Sequence, residues 1–337
     1  MKRPVGSTVG TLKSFQPAWW CRSGHAQTAW AAVLRPVVSV PLRRERWETP
    51  DGDFIDVDRT VGVGAPRQTI VVVLHGLESS SQSRHVRGLL HAVHQHGWQG
   101  LGINFRSCSG EPNRLARSYH GGDTSDLGWV IQRLAIQNPH IPVGCVGFSL
   151  GGNVLLKYVG VQAGSAPANL KAAVAISTPF DLAVSAHAFE HSALNRVYMR
   201  RLLRSLKQKT LAKLQRHPTL VDPLRLAAVS TIAEFDEVVT APIYGFANAQ
   251  DYWHASSCTQ FLDAIRRPTL LINAKDDPLV PERVLPIPSV AQHPFLRVDI
   301  TDAGGHVGFV SGARLTQPVF WAEEQALAFF DSHLAGQ

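Results

Sequence analysis

Pro-Val-Gly-Cys-Val-Gly-Phe-Ser-Leu-Gly-Gly-Asn-Val-Leu-Leu-Lys, residues 142–157, is the stretch whose reading decides the fold. Its first half, 142–148, is short, apolar and bounded by a proline, which predicts a buried strand. Its second half, 150–161, predicts a helix. Between them lies Gly147-Phe148-Ser149-Leu150-Gly151, a G-x-S-x-G pattern in the strand–turn–helix setting that its chemistry requires. So sharp a turn leaves no room for flanking side chains, which accounts for glycine at Gly147 and Gly151. It would lift Ser149 to the rim of a sheet, at the start of a helix. The positive end of that helix favours developing negative charge.

Working outward, residues 69–75 (Thr-Ile-Val-Val-Val-Leu-His) are apolar on both faces, as a central parallel strand must be. Further strands are expected at 100–105, 171–177, 268–274 and 295–300. Residues 46–60 read as paired strands around Pro50-Asp51-Gly52. Helices are expected at 83–96, 122–136 and 318–333. This alternation predicts an α/β fold, with a mostly parallel central sheet and helices on both faces. Between 180 and 262 the pattern turns helical, basic and aromatic. The expectation is one domain over residues 1–337, with an N-terminal strap at 1–45 and a helical cap inserted at about 180–265.

A serine hydroxyl is a weak nucleophile and needs a base oriented by an acid. When the nucleophile sits on such a turn, the acid and then the base follow it in the chain. Asp276 and Asp277 end the strand at 268–274, and Asp277-Pro278-Leu279-Val280-Pro281 favours Asp277 as the acid, leaving Asp276 to the turn. After the last strand, Gly304-Gly305-His306-Val307-Gly308 brings one histidine of 15 on a glycine approach, so His306 is the expected base. An oxyanion needs two preorganised N–H donors. The backbone amides of Leu150 and of Leu77, in His75-Gly76-Leu77-Glu78, are expected to supply them. The side chain of His75 reads first as a structural hydrogen-bonding group. The loop 106–120 reads first as a self-satisfied salt-bridged brace. Substrate contact by His75, Arg106 or His120 is the alternative. The chemistry calls for no cofactor, and the histidines lack metal-ligand spacing, so no metal is expected.

Composition sets the remaining bounds. With 337 residues, 45% of them hydrophobic, the chain can bury a large core. The net charge of +7 is spread along the chain and accompanies no nucleic-acid-binding motif, so no nucleic-acid partner is expected. The densest basic run holds Arg200, Arg201, Arg204, Lys207, Lys209, Lys213 and Arg216. It reads as an amphipathic helix with a solvated basic face, and peripheral membrane contact is the sharper alternative. The four cysteines form no CxxC pair and read as free thiols. Lys2 and Arg3 are not followed by a signal-type apolar region, and no apolar run is long enough to span a membrane. A cytoplasmic location is therefore expected. Oligomeric state is left open.

Several motifs resemble one branch of the α/β-hydrolase superfamily. They are Gly24-His25-Ala26-Gln27-Thr28, His75-Gly76-Leu77-Glu78, Asn104-Phe105-Arg106, residues 108–114, Ser118-Tyr119-His120, residues 147–157, Glu234-Phe235-Asp236, Ala274-Lys275-Asp276-Asp277-Pro278 and residues 304–309. They are similar to the YheT-type hydrolases (AB hydrolase 4 family), related to plant embryogenesis-associated hydrolases and animal ABHD-type lipid esterases. The similarity runs from about Phe15 to the C-terminal helix. It implies the α/β-hydrolase fold, with Ser149 as nucleophile, Asp277 as acid and His306 as base. It also implies carboxylesterase-like or acylglycerol-lipase-like activity on a small-molecule or lipid ester. Ser107 stands where that family usually has glycine. The competing readings are a phospholipid or acylglycerol hydrolase or transacylase, and a non-catalytic binding protein that keeps the fold. The H-x-x-x-x-D spacing of acyltransferases is missed by one position, since Asp126 lies six residues after His120.

Overall fold

The computed structural model describes residues 14–62, 69–286, 290 and 292–334. Near the N-terminus, α1 (Gly24–Ala29) runs into a π-helical turn, Trp30–Leu34. Eight strands follow along the chain. They are β1 (Leu42–Glu48), β2 (Phe54–Thr60), β3 (Ile70–Leu74), β4 (Gln99–Ile103), β5 (Val143–Phe148), β6 (Leu170–Ile176), β7 (Thr269–Ala274) and β8 (Leu296–Thr301). They form one sheet in the order β1-β2-β4-β3-β5-β6-β7-β8. The β1–β2 and β2–β4 pairs are antiparallel. Every later pair is parallel.

The strand β3 shows why the sheet is covered on both sides. Ile70, Val72 and Leu74 enter one core with Leu127, Val130 and Leu155, from α3 (Ser125–Gln137) and α4 (Leu150–Gln162). Val71 and Val73 enter the opposite core. There they meet Val86 and Leu89, from α2 (Arg84–Gln95), and Phe330 from the C-terminal helix Trp321–Leu334. A period-2 strand that is apolar at every position can satisfy both faces only between two helical layers.

Several boundaries differ from the sequence reading, and two of them carry a physical reason. The first strand begins at Leu42, not near Arg46. Its arginines pair across the hairpin, with Arg44 bidentate on Asp58 and Arg46 on Asp56. These residues are in direct register, so opposite charges stabilise strand where composition alone reads as loop. The final helix starts at Trp321, not Pro318, because Val319–Phe320 pairs with Val310–Ser311 as a short ribbon.

Between β6 and β7 lie α5 (Leu182–Ala188), α6 (Ala193–Leu214), α7 (Pro223–Ala228), α8 (Ile232–Phe235), α9 (Ala241–Tyr244) and α10 (Ala249–Ser256). Local caps start most of them. Asp181, Ser192, Asp222 and Asn248 each accept an early helical N–H, and Thr231 with Glu234 forms a capping box. Their apolar faces form a third cluster, including Leu182, Phe189, Leu203, Phe235 and Trp253, which also takes in Leu150 at the start of α4.

The basic run on α6 divides by residue type. Its arginines 200, 201 and 204 are exposed. Its lysines turn inward, correcting the expectation of a wholly solvated basic face. Lys213 is buried and donates to the carbonyls of Leu115 and Arg117. Lys207 donates to Ala227 and Val229, and Lys209 to Glu78. Burial pulls the Lys213 ammonium down to about 8. Among the described residues no helix is long and apolar enough to cross a membrane. All four cysteines are buried and unpaired. The strap expected at 1–45 lies outside the described residues for its first 13 positions, Lys2 and Arg3 included. From Phe15 onward it packs on the body, with Phe15 against Phe309 and Trp321, and Trp30 against Phe320.

Candidate active site

Ser149 is the residue at which β5 becomes α4, and its backbone is at φ 52°. Left-handed backbone at a non-glycine residue costs on the order of 1–3 kcal/mol and persists only where the surroundings fix it. The neighbours do so by close approach. A Cβ on Gly151 would lie 2.5 Å from the carbonyl oxygen of His75, and one on Gly147 would lie 2.6 Å from the Cα of Gly152. The serine N–H donates to the Ile176 carbonyl on β6 (2.8 Å), tying the turn to the sheet.

Three side chains from three parts of the chain meet here. Ser149 Oγ lies 2.8 Å from His306 Nε2. His306 Nδ1 lies 2.8 Å from Asp277 Oδ2. With its Nδ1–H on the carboxylate, the imidazole presents Nε2 as acceptor to the hydroxyl. The Asp277 side chain has no solvent exposure and that of His306 is 13% exposed. The other Asp277 oxygen, Oδ1, accepts the N–H groups of Leu279 and Val280 (2.8 and 3.1 Å). A buried carboxylate needs such donors to stay charged.

The neighbouring acid does something else. Asp276 Oδ1 accepts the Gly305 N–H at 2.8 Å, one residue before His306. Burial holds its carboxyl above the ordinary range.

Gly76 brings the next turn against Ser149, since a Cβ there would be 3.1 Å from Ser149 Cβ. Among the described residues neither the Leu77 nor the Leu150 N–H has a protein acceptor. Leu150 opens α4, where unpaired N–H groups and the helix dipole concentrate positive potential. The turn is held from behind by Glu78, whose backbone is at φ 52°. Its side chain is buried, takes hydrogen bonds from Tyr119 and Ser205, and is paired with Lys209 at 3.0 Å. The inserted helix α6 thus anchors the turn that carries Leu77.

The three side chains weighed for substrate contact separate. His75 is fully buried. Its Nδ1–H donates to the Gly76 carbonyl (2.7 Å), and its Nε2 accepts the Phe105 N–H (3.1 Å). Burial lowers its imidazole to about 3, so it is neutral. Arg106 is 2% exposed, and its guanidinium is taken up by Asp51, Asp53 and Asp126. Neither lines a cavity beside Ser149. Arg106 is therefore a structural hub, in keeping with the first reading of its loop as a salt-bridged brace, and the alternative of substrate contact is corrected. Only His120 reaches a cavity wall, with its ring against Tyr244 and burial lowering it to about 4. Ser107 has φ 64°, a left-handed backbone that favours glycine. Here Asn113 takes up both its N–H and its hydroxyl.

Two spaces open on Ser149 and His306. One is an apolar cavity of about 120 Å³, walled by residues such as Leu182, Phe189, Phe235, Trp253 and Val280. The other is an open groove of about 910 Å³, whose walls are more polar and include Ser80, Ser83, Arg201, Ser205 and Lys209. Sequence reasoning passed over one group in the cavity wall. Asp236 accepts from Thr240 Oγ1 (2.7 Å) and Trp253 Nε1 (2.8 Å), and burial raises its carboxyl to about 6. Its only signal was the Glu234-Phe235-Asp236 motif, which carries no chemistry when read alone.

Comparison with known proteins identifies the fold family. Residues 69–313 match the family model described as the alpha/beta hydrolase fold. The chain is 38% identical over 314 residues to YheT of Escherichia coli (strain K12), whose name places it among esterases. The match covers 92% of this chain and 91% of that one. It is 28% identical over 312 residues to the human phospholipase ABHD3, covering 89% and 74%. Among solved structures, an esterase of Pyrococcus furiosus superposes with a TM-score of 0.55 at 17% identity, over 89% of this chain and 98% of that one.

Proposed function

The chain belongs to the α/β-hydrolase family, in its YheT-type branch, and from that premise we propose that it is a serine hydrolase of carboxylic esters working through an acyl-enzyme. The observation that carries this reading is the continuous line of two 2.8 Å contacts from Asp277 through His306 to Ser149. His306 Nε2 takes the hydroxyl proton as Ser149 Oγ bonds to the acyl carbon. The N–H groups of Leu77 and Leu150 receive the oxyanion, each worth about 10²–10³ in rate. The tetrahedral intermediate collapses, and the alcohol leaves with the proton from His306. Water, deprotonated by the same nitrogen, then attacks the ester carbon, and Ser149 regains its proton. Throughout, Asp277 holds the Nδ1–H tautomer and stabilises the imidazolium. The inserted helices α5–α10 act as a cap that encloses the acyl side.

The two spaces give the substrate a direction. The apolar cavity takes the acyl arm, and the open groove takes the alcohol. An apolar cavity of about 150 Å³ accommodates the six carbons of benzene, so about 120 Å³ encloses about five carbons of an acyl chain. A longer chain has to run into the groove. A lipid with a polar alcohol fits the same layout, in line with the phospholipase relative. A p-nitrophenyl ester series from acetate to palmitate tests this. Turnover should peak between butyrate and octanoate. Absence of turnover across the series would end the esterase reading, and a palmitate optimum would end the cavity assignment.

A further inference from the structure

The loop that carries His306 closes on one internal hydrogen bond, Phe309 N–H to the Gly304 carbonyl (2.9 Å), and its backbone is otherwise unfavourable. Gly304, Gly305, Val307 and Phe309 have φ of 151°, 59°, 61° and 44°. Val307 is β-branched, and such a residue rarely takes positive φ. A chain this far from its own preferences keeps its shape only where outside contacts over-determine it. Three successive amides supply those contacts, each donating to a side chain from a different part of the protein. Gly305 N–H goes to Asp276 after β7. Val307 N–H goes to the Ser177 hydroxyl after β6 (2.9 Å). Between them, the N–H of His306 itself goes to the Thr28 hydroxyl of α1 at 2.9 Å, across 278 positions of sequence.

The helix α1 is shaped for this contact. The Thr28 hydroxyl donates to the Gly24 carbonyl (2.7 Å), which leaves an oxygen lone pair for the His306 amide. Gln27 is fully buried, and both ends of its amide bond the same residue beyond the loop. Its Oε1 accepts the Val310 N–H (2.7 Å), and its Nε2 donates to the Val310 carbonyl (3.0 Å). The packing is as close as backbone allows. A Cβ on Gly305 or on Gly308 would come within 2.8 Å of Gln27 Cβ.

We propose that Thr28 and Gln27 are positioning residues for His306, so that the N-terminal helix sets the placement of the general base. This explains the chemistry of Gly24-His25-Ala26-Gln27-Thr28, which has no polar atom on the nucleophile. It rests on the hydrolase reading above. Loss of the Thr28 oxygen leaves the His306 N–H without its acceptor and frees the loop to relax. A displacement of about 1 Å at a reacting group costs about a hundredfold in rate.

The test compares Thr28→Val, which keeps shape and branching, with Thr28→Ser, which keeps the oxygen. On p-nitrophenyl butyrate, Thr28→Val should lose about ten- to a hundredfold in kcat with little change in KM. Thr28→Ser should stay within about threefold of wild type. The downfield proton signal of the His306 Nδ1–H should weaken in Thr28→Val and persist in Thr28→Ser, with the melting temperature of the serine variant unchanged. Equal damage in both variants, or full kcat in Thr28→Val, would overturn the proposal. If Thr28→Val does not fold, amide exchange in the wild-type protein decides. A protected His306 N–H supports the proposal, and an N–H that exchanges as fast as an exposed loop refutes it. Inactive wild-type protein would count against the hydrolase reading, and the amide-exchange result would stand independently of it.

Discussion

The nucleophile turn and the histidine loop are both strained, yet they are held by opposite means. Ser149 sits between a buried strand and a buried helix, with Gly147 packed against the helix start and Gly151 against the end of β3. Its pattern is written in consecutive residues, Gly147 to Gly151, while its packing comes from the adjacent strands. His306 sits on a loop whose amides bond to Asp276, Thr28 and Ser177. Its geometry is written in segments up to 278 positions away. The first turn is recognisable from a local pattern and is built into the sheet. The other depends on tertiary contacts, so its alignment can be lost while the fold survives. The turn carrying Leu77 belongs with the second kind, since Glu78 is held by Tyr119, Ser205 and Lys209.

That contrast can be broken or sharpened by substitution. The largest effect should come from Ser149→Ala, which leaves the sheet intact and removes the bond-forming atom. Its kcat should fall by about 10⁵–10⁶, read on p-nitrophenyl butyrate. Asp277→Asn should follow, with a loss of about 10⁴, because the amide favours the wrong imidazole tautomer. Gly151→Ala should act through stability, since its new Cβ meets the His75 carbonyl at 2.5 Å. A loss of about 1–3 kcal/mol in urea denaturation is expected. Retention of wild-type stability would mean that the turn is less locally fixed than described.

The smallest effects should come from Asp276, and they separate it from its neighbour. Asp276→Ala leaves the Gly305 N–H without its acceptor and should cost about tenfold in kcat. Asp276→Asn keeps an oxygen there and should run near the wild-type rate. It should, however, change the pH dependence of stability. The folded protein holds the Asp276 proton more tightly than the unfolded chain. Its contribution is therefore fully present below the ordinary carboxyl range and is lost as pH rises through the raised value. The asparagine variant should show a flatter stability curve on that side in pH-dependent urea denaturation. An unchanged curve would mean that Asp276 is not buried in this way.

The same contrast explains what could be read from sequence. The strand–Ser149–helix turn, the apolar run at β3 and the mostly parallel sheet between helical layers were legible because local pattern determines them. Ser149, Asp277 and His306 were legible because chain order and strand ends constrain where they fall. The work of Thr28 and Gln27 was not, because no local pattern links a threonine on a short helix to an amide near the other end of the chain. Arg106 was read first as part of a salt-bridged brace, but its partners were not legible for a related reason. A loop arginine near a site looks available until Asp51, Asp53 and Asp126 are seen around it. The lysines of α6 gave a helical charge pattern, but only packing shows that Lys209 and Lys213 face inward.

The central claim is that one hydroxyl, aligned by an imidazole that remote segments hold, does the bond-making. Mapping a fluorophosphonate adduct by mass spectrometry tests it most directly. A single covalent adduct on Ser149, absent from Ser149→Ala, is the predicted result. An unmodified Ser149 in folded wild-type protein, or an adduct carried by a different residue, would contradict it.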